Sequence, residues 1–184
     1  MPFIPTALSG LFIFEPAVYK DERGYFFESY NEQVFHGQGH QQHFVQDNQS
    51  FSLHGVIRGL HYQVDPHPQT KLVRVLQGKI LDVAVDIRQG SPTYGKYVGV
   101  ELSSENKLQL LIPRGFAHGF SVLSETAEVS YKCDGFYDKA SEGGIRFDDP
   151  QLNIDWKVPT GKTIISSKDM ALPSFADCRN NFNF

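Results

Sequence analysis

The sequence predicts an all-β fold, either a sandwich or a barrel. Most of the chain consists of short runs of branched and aromatic residues separated by turn residues, which is typical of such folds. Glycines stand at or near the ends of many of these runs, where turns and bulges require them. The 184 residues suffice for one domain with a sizeable core. We predict a single domain over residues 1–184, with residues 174–184 as a possible tail.

The predicted strands follow one another along the chain. The segment VIRGLHYQ, residues 56–63, is dominated by branched and aromatic residues, and residues 71–87 form two apolar runs joined near Gly78. Helix is predicted only for the short segments 29–35 and 166–170. The remaining predicted strands are 11–18, 24–30, 43–51, 97–102, 107–112, 116–123 and 127–133.

Composition excludes several classes of protein. The net charge of −4 differs from the excess of positive charge that is typical of proteins that bind nucleic acid. The longest apolar runs are far too short to cross a bilayer, so we expect no membrane partner. The N-terminal segment MPFIPTALSG lacks the basic and apolar regions of a signal peptide, which favours the cytoplasm. The two cysteines form neither a metal-ligand pair nor a disulfide framework, as expected in a reducing compartment.

Four polar side chains that can bind or release protons occupy strand faces whose other members are apolar. One such residue is usually a hydrogen-bonded group of the core. Four of them on separate strands fit better with a polar cavity at the mouth of a barrel. The four residues are His61, Lys71, His118 and Tyr131.

Arg58 and His61 raise a question of register. Strict alternation along a strand places these two residues on opposite faces. If both side chains reach one site, a bulge or twist at Gly59 must shift the register between them.

Two strand motifs of metal-binding cupin jelly rolls are partly present. Gly55 and His61 keep the spacing of the first motif, but Gln63 occupies its second histidine position and Lys71 its carboxylate position. The second motif, P-x-G-x-x-H, is intact over residues 113–118. A lysine ammonium has no lone pair for a metal and repels a divalent cation. We therefore predict no bound metal, and a metal-dependent cupin oxygenase or isomerase is the disfavoured alternative.

Longer blocks resemble the dTDP-4-dehydrorhamnose 3,5-epimerase family. They are RGLHYQ (58–63), KLVRVLQGKILDVAVDIR (71–88), SPTYGKYVGVELSSENKLQLLIPRGFAHGF (91–120) and SSKD (166–169). The similarity runs from FEPAVYKDERGYFFESY to SSKDMALP, nearly the whole chain. The resemblance implies a cupin jelly roll, a homodimer, no metal and no cofactor. It also implies a substrate, a thymidine-diphosphate 4-keto-6-deoxy-sugar on the route to L-rhamnose.

The resemblance assigns the catalytic roles. A 4-keto group acidifies the hydrogens on carbons 3 and 5, so epimerisation needs a base, an acid on the opposite face and positive charge near the enolate oxygen. His61 matches the base, since imidazole titrates near neutral pH, and Asp169 would orient it. Tyr131 matches the acid. Lys71 would bind the substrate and stabilise the developing oxyanion.

The resemblance also implies substrate-binding residues. A guanidinium such as that of Arg58 is suited to bidentate capture of a diphosphate. Phe26 is implied to pack on the sugar, Tyr137 to stack on thymine, and His118 to lie close to sugar and base. Charged residues in this set, taken alone, are usually solvated surface pairs. The other implied contacts are Arg23, Glu28, Gln46, Asp47, Asn48, Glu142 and Lys168.

Some polar residues receive no role. Asp82 and Asp86 share a strand face in a pattern that also suits a solvent-facing stripe. The C-terminal segment SFADCRNNFNF would either cover a partner subunit or be disordered. The histidines expected to be exposed in loops are His36, His40, His43, His54 and His67.

Two alternatives to the double epimerase stay open. A relative that acts on carbon 3 or carbon 5 alone would carry the same catalytic residues, so the sequence separates it poorly. A non-catalytic jelly roll that binds nucleotide sugars is disfavoured, because a binding protein needs no enolate stabiliser.

Overall fold

The chain forms two antiparallel sheets in a computed structural model that describes residues 2–159 and 161–184. The all-β prediction is confirmed. The strands are β1 (Phe3–Pro5), β2 (Phe12–Phe14), β3 (Tyr19–Asp21), β4 (Gly24–Phe26), β5 (Gln46–Leu53), β6 (Ile57–Gln63), β7 (Lys71–Gln77), β8 (Lys79–Asp86), β9 (Tyr97–Ser103), β10 (Gln109–Ile112), β11 (Phe116–Val122), β12 (Thr126–Cys133) and β13 (Glu142–Gly144). The helices are α1 (Glu32–Gly37), α2 (Ser167–Met170) and a 3₁₀ turn, Lys139–Ser141.

The two sheets pack face to face around the main core. The six-stranded sheet has the order β1-β2-β10-β7-β12-β5, and the five-stranded sheet has the order β13-β6-β11-β8-β9. Alternate residues of facing strands, such as Val73, Val129, Ala84 and Phe120, fill the space between them. Strands β3 and β4 form a separate hairpin that exposes Tyr19, Tyr25 and Phe26.

Several predicted elements differ from the observed ones at their ends. The strand predicted over 11–18 ends at Phe14, ahead of Pro16, which has no N–H for the ladder. The strand predicted over 24–30 ends at Phe26, since its ladder partner β3 has three residues. The helix predicted over 29–35 begins at Glu32, because the Asn31 side chain accepts two N–H groups as its N-cap.

A second apolar core covers the outer face of the five-stranded sheet. Residues from the C-terminal third of the chain, including Trp156, Phe175 and Phe182, pack there against side chains of β6 and β8. The expectation that the tail covers a partner or is disordered is wrong for Phe175 and Phe182, which are buried on their own chain. The Phe184 N–H also donates to the Gln89 carbonyl.

Burial on both faces of β8 corrects the interpretation of its two aspartates. Asp82 and Asp86 are fully buried, so they form no solvent-facing stripe. The Asp86 carboxylate accepts hydrogen bonds from Arg88, Ser91 and Thr93. Burial alone would raise the pKa of Asp86, but these hydrogen bonds outweigh that effect and lower the pKa to about 2.

The loop histidines are only partly as expected. His43, His54 and His67 are exposed, whereas His36 and His40 are half-buried. The His40 ring lies 4.2 Å from the Phe3 ring, between centroids, within the aromatic cluster beneath α1. Burial lowers the pKa of His40.

A bulge in β6 sets the register of the strand that the sequence singled out. His118 pairs with His61, and Phe120 pairs with Arg58, so two steps along β11 correspond to three steps along β6. Arg58 and His61 consequently both face the space between the sheets, and the predicted bulge at Gly59 is confirmed. Gly59 has φ +118°, and a Cβ there would lie 2.6 Å from the Gly119 Cα.

The bulge predicts a large effect for Gly59→Ala. The added methyl group meets backbone atoms of the neighbouring strand that cannot move aside, in a conformation that disfavours side chains. We expect the free energy of unfolding, measured by urea titration, to fall by about 3 kcal/mol. Gly90→Ala is the matched control, since Gly90 has φ +83° but open space around its Cβ, and it should cost about 1 kcal/mol. Equal losses for both variants would contradict this account.

Candidate active site

A cavity of about 660 Å³ opens between the two sheets, a size suited to a small-molecule ligand. Both sheets contribute side chains to its wall. His61 and His118 come from the five-stranded sheet, whereas Lys71 and Tyr131 come from the six-stranded sheet. The four polar residues on apolar strand faces are therefore brought together, as the sequence predicted.

Most of the expected site residues line this cavity, but four do not. Asp47 is exposed and forms an ion pair with Lys132. Arg23, Phe26 and Glu28 lie on or just after the β3–β4 hairpin, outside the cavity of their own chain. The expected residues that line the cavity, in addition to His61, Lys71, His118 and Tyr131, are Gln46, Asn48, Arg58, Tyr137, Glu142, Lys168 and Asp169.

His61 is paired with a buried carboxylate. Its Nε2 lies 3.0 Å from Asp169 Oδ1, and the Asp169 side chain is 7% exposed against 31% for His61. Helix α2 presents Asp169, and Ser166 is the N-cap of that helix, because its side chain accepts the Asp169 N–H. The Gly59 N–H donates to Asp169 Oδ2 at 3.3 Å, so the bulge also supports the carboxylate.

The surroundings of Asp169 keep it ionised. Burial by itself would raise the pKa of Asp169, but the hydrogen bonds from His61 and the Gly59 N–H hold it below the usual range of a carboxyl group. An ionised carboxylate at Nε2 orients the imidazole and favours the tautomer that leaves Nδ1 as proton acceptor. This pair can therefore act as a general base.

Lys71 supplies a positive charge to the cavity. Its side chain is half-buried, and no carboxylate of the described residues lies within salt-bridge distance of Nζ. Burial lowers the pKa of Lys71, while Cys133 and Asp82 partly restore it. Its Nζ lies 5.9 Å from the centroid of the Tyr131 ring. Such a cation is available to an anionic oxygen of a ligand.

Tyr131 is suited to donate a proton. Its ring is half-buried, and burial raises the pKa of Tyr131 above its ordinary value, although Arg58 opposes this effect. The hydroxyl is consequently protonated at neutral pH. It stands on β12, across the cavity from the sheet that carries His61.

His118 belongs to a second histidine–aspartate pair. Its Nε2 lies 2.7 Å from Asp82 Oδ1, and both side chains are buried. The sequence-based interpretation missed Asp82. The signal that points to it is a polar residue inside the continuous apolar run of β8, which indicates burial on both faces and a partner for the carboxylate.

Gln63 and Lys71, which stand at positions of metal ligands in the motif of metal-binding cupins, are not suited to bind a metal. The Gln63 amide is occupied by backbone, since Nε2 donates to the His67 carbonyl and Oε1 accepts the Asp138 N–H. Lys71 places a cation where a carboxylate ligand would be required. Within the described part of the chain, no three His, Cys, Asp or Glu side chains cluster as metal ligands would.

The assembled groups are those needed to remove and return protons next to a carbonyl group. An imidazole held by a carboxylate, a protonated phenol and an ammonium line one cavity. General acid–base catalysis at carbon requires such groups at opposite faces of the substrate and a cation at the developing oxyanion.

Comparisons with known proteins identify the family. Residues 5–177 match the model of the dTDP-4-dehydrorhamnose 3,5-epimerase family. The chain is 53% identical over 178 residues to the dTDP-4-dehydrorhamnose 3,5-epimerase of Shigella flexneri, covering 96% of this chain and 97% of that protein.

Solved structures extend the agreement to the fold. The dTDP-4-dehydrorhamnose 3,5-epimerase from Elizabethkingia anophelis is 56% identical with a TM-score of 0.92, covering 96% of this chain and 97% of that one. The epimerase from Legionella pneumophila, solved in complex with dTDP-4-keto-L-rhamnose, is 50% identical with a TM-score of 0.92, covering 96% and 93%. The predicted cupin-like jelly roll is thereby confirmed. The chain belongs to the dTDP-4-dehydrorhamnose 3,5-epimerase family of isomerases.

Proposed function

We propose that the protein epimerises carbons 3 and 5 of dTDP-4-dehydro-6-deoxy-D-glucose, giving dTDP-4-dehydro-L-rhamnose for dTDP-L-rhamnose biosynthesis. The observation that carries the proposal is the lining of one cavity by the His61–Asp169 pair, Lys71 and Tyr131. We place this activity in the cytoplasm. The longer α-helix has six residues, so no helix of the described chain is long enough to span a bilayer.

His61 acts as the base in this proposal. It removes the acidic hydrogen next to the 4-keto group, and the buried carboxylate of Asp169 stabilises the imidazolium that forms. The same residue serves both carbons in turn, because both acidic hydrogens flank a single carbonyl group.

Lys71 and Tyr131 complete each epimerisation. The Lys71 ammonium stabilises the enolate oxygen, in a half-buried position where electrostatic attraction is stronger than in water. Tyr131 then delivers its proton to the opposite face of the carbon. Before the next cycle, exchange with water removes the proton from the His61 imidazolium and returns a proton to the Tyr131 phenolate.

Cavity-lining residues other than the catalytic set bind the nucleotide in this proposal. The Arg58 guanidinium is oriented by its Nε, which donates to Ser52 Oγ at 3.0 Å, and it binds the diphosphate. At the rim, Lys168 Nζ lies 2.5 Å from Glu142 Oε1, and the Tyr137 hydroxyl lies 3.4 Å from Glu142 Oε2. This cluster surrounds the site proposed for the thymine base.

A homodimer accounts for the expected residues that lie outside the cavity. Arg23, Phe26 and Glu28 can contact a dTDP-sugar only if the exposed hairpin reaches the cavity of a second copy. Burial of the exposed Tyr19, Tyr25 and Phe26 side chains would favour such an association. We propose that the protein is a homodimer in solution.

The alternative within the same chemistry is epimerisation of a single carbon. It uses the same base, acid and cation, so solvent exchange separates the two. In deuterated water, NMR of the product should show deuterium at carbons 3 and 5, whereas exchange at one carbon would establish the single-carbon activity. Absence of any exchange would favour the non-catalytic binder.

We predict that His61→Ala slows deuterium uptake at both carbons to the same extent as turnover, because one base serves both. Turnover should fall by roughly 10²- to 10⁴-fold, while the affinity for thymidine diphosphate stays near that of the unaltered protein. Exchange at an unreduced rate at either carbon would remove His61 as the base at that position.

Tyr131→Phe is expected to lower kcat by about 100-fold, because the variant keeps the ring but loses the donated proton. The dissociation constant for thymidine diphosphate, measured by calorimetry, should change less than twofold. A loss of affinity with unchanged kcat would instead identify Tyr131 as a binding residue.

The lowered pKa of Lys71 predicts a limit to activity at alkaline pH. Stabilisation of the enolate requires the ammonium, so kcat should fall as pH rises through a pKa below that of an ordinary lysine. Lys71→Arg stays charged at every accessible pH and should lack this decline even if its kcat is lower. A decline of the same shape in Lys71→Arg would assign the titration to another group.

A further inference from the structure

Three cavity-lining glutamine side chains hold the backbone of one loop. The Gln69 Nε2 donates to the Gly135 carbonyl at 2.7 Å, and the Gln63 Nε2 donates to the Phe136 carbonyl at 3.3 Å. We call this loop, residues 135–138, the rim loop. Two of its successive carbonyl groups are thus bound by side-chain amides that face the cavity.

The next two N–H groups of the rim loop are held in the same way. The Tyr137 N–H donates to Gln46 Oε1 at 3.1 Å, and the Asp138 N–H donates to Gln63 Oε1 at 2.8 Å. The remaining end of the Gln46 amide donates to Asn48 Oδ1. Gln46 therefore has both ends of its amide engaged within the protein.

These glutamines attach the rim loop to both sheets. Gln46 begins β5 in the six-stranded sheet, and Gln63 ends β6 in the five-stranded sheet. Gln69 lies in the connection between β6 and β7. Gln63 is 5% exposed, so its hydrogen bonds form away from water, where an unpaired group is costly.

The rim loop carries two aromatic side chains that the protein leaves open. Phe136 is 70% exposed and Tyr137 is 55% exposed. Tyr137 also lines the cavity. An exposed ring on an immobilised backbone is preorganised to stack on a planar ligand, because little conformational entropy is lost on binding.

We propose that Gln46, Gln63 and Gln69 are positioning residues for the nucleoside base, and that they act by fixing the Tyr137 ring through the rim loop. The inference rests on the proposed function, in which Tyr137 stacks on thymine. It gives Gln46 an indirect role in binding. It also gives Gln63, at the position that a histidine ligand occupies in the motif of metal-binding cupins, a role in base recognition.

The ligand moiety that depends on this arrangement is the base and not the diphosphate. Loosening the rim loop should weaken ligands that carry a base and leave inorganic pyrophosphate unaffected. A purely structural role for the glutamines would weaken both ligands or lower kcat, because Gln63 shares β6 with Arg58 and His61.

Gln63→Met tests the proposal in the full-length protein, since it keeps the approximate volume and removes the amide. We expect the dissociation constant of thymidine diphosphate to rise about 3- to 10-fold, with that of pyrophosphate unchanged. The KM of the sugar substrate should rise in parallel, with kcat within twofold. Gln41→Met is the matched control, because the Gln41 amide also donates to a backbone carbonyl, that of His36, but outside the cavity.

A double-mutant cycle with Tyr137→Ala tests whether Gln63→Met weakens binding through the Tyr137 ring or by disturbing the rest of the site. Loss of base stacking should raise the dissociation constant of thymidine diphosphate roughly 10-fold in Tyr137→Ala. Adding Gln63→Met to that variant should then produce no further loss. Gln69→Met removes only the bond to Gly135 and provides the same cycle with a milder change.

Additive losses in the cycle, or equal weakening of pyrophosphate, would overturn the positioning role. An unchanged affinity of Tyr137→Ala for thymidine diphosphate would overturn it as well. Failure of the proposed function itself would appear separately, as absence of solvent exchange into a sugar product by the unaltered protein.

Discussion

The candidate site depends on one irregularity of backbone pairing, the bulge at Gly59. In a regular strand Arg58 and His61 would lie on opposite faces of the sheet. The extra residue of β6 turns both toward the cavity, and the N–H of Gly59 bonds to the carboxylate that orients His61. A side chain at Gly59 is excluded by the close approach of β11. The bulge therefore brings His61, the proposed catalytic base, and Arg58, proposed to bind the diphosphate, to the same cavity.

Two buried carboxylates at the catalytic cavity are paired with histidines, whereas Lys71 is open to the cavity. Asp169 and Asp82 each lie next to an imidazole that lines the cavity. The Lys71 ammonium faces the same space without a carboxylate within salt-bridge distance in the described chain. The Asp169 and Asp82 carboxylates are thus each paired with an imidazole, while the Lys71 cation stays open to the cavity, which suits a substrate that develops negative charge on an oxygen. The same arrangement opposes a divalent metal.

The elements that carry the proposed catalytic residues also carry glutamines that hold the rim loop. Strand β6 carries His61 at one position and Gln63 two residues later, so one strand presents the proposed base and holds the rim loop. The six-stranded sheet likewise carries Tyr131 and Gln46. A shared strand in one sheet and neighbouring strands in the other keep the Tyr137 ring in constant register with the reacting groups. Two packed sheets provide the rigidity that this requires.

Much of the fold was predictable because strand periodicity is local. The two strands joined at Gly78 and the strand over 116–122 follow from alternation and turn residues, and the scarcity of helix is equally visible. Polar residues on apolar faces predicted a cavity and named four of its residues correctly. Ends of elements were less predictable, because the end of a strand such as β4 depends on the length of its ladder partner.

The sequence by itself determined the all-β class, the polar groups of the cavity and the need for a bulge at Gly59, since each depends on neighbouring residues. Only the tertiary structure decided that Asp82 is buried against His118, and that Arg23, Phe26 and Glu28 lie outside their own chain's cavity. It also decided that Phe182 packs on its own chain. These outcomes depend on contacts between residues far apart in sequence, and the spacing of residues along one strand carries no information about what packs against it.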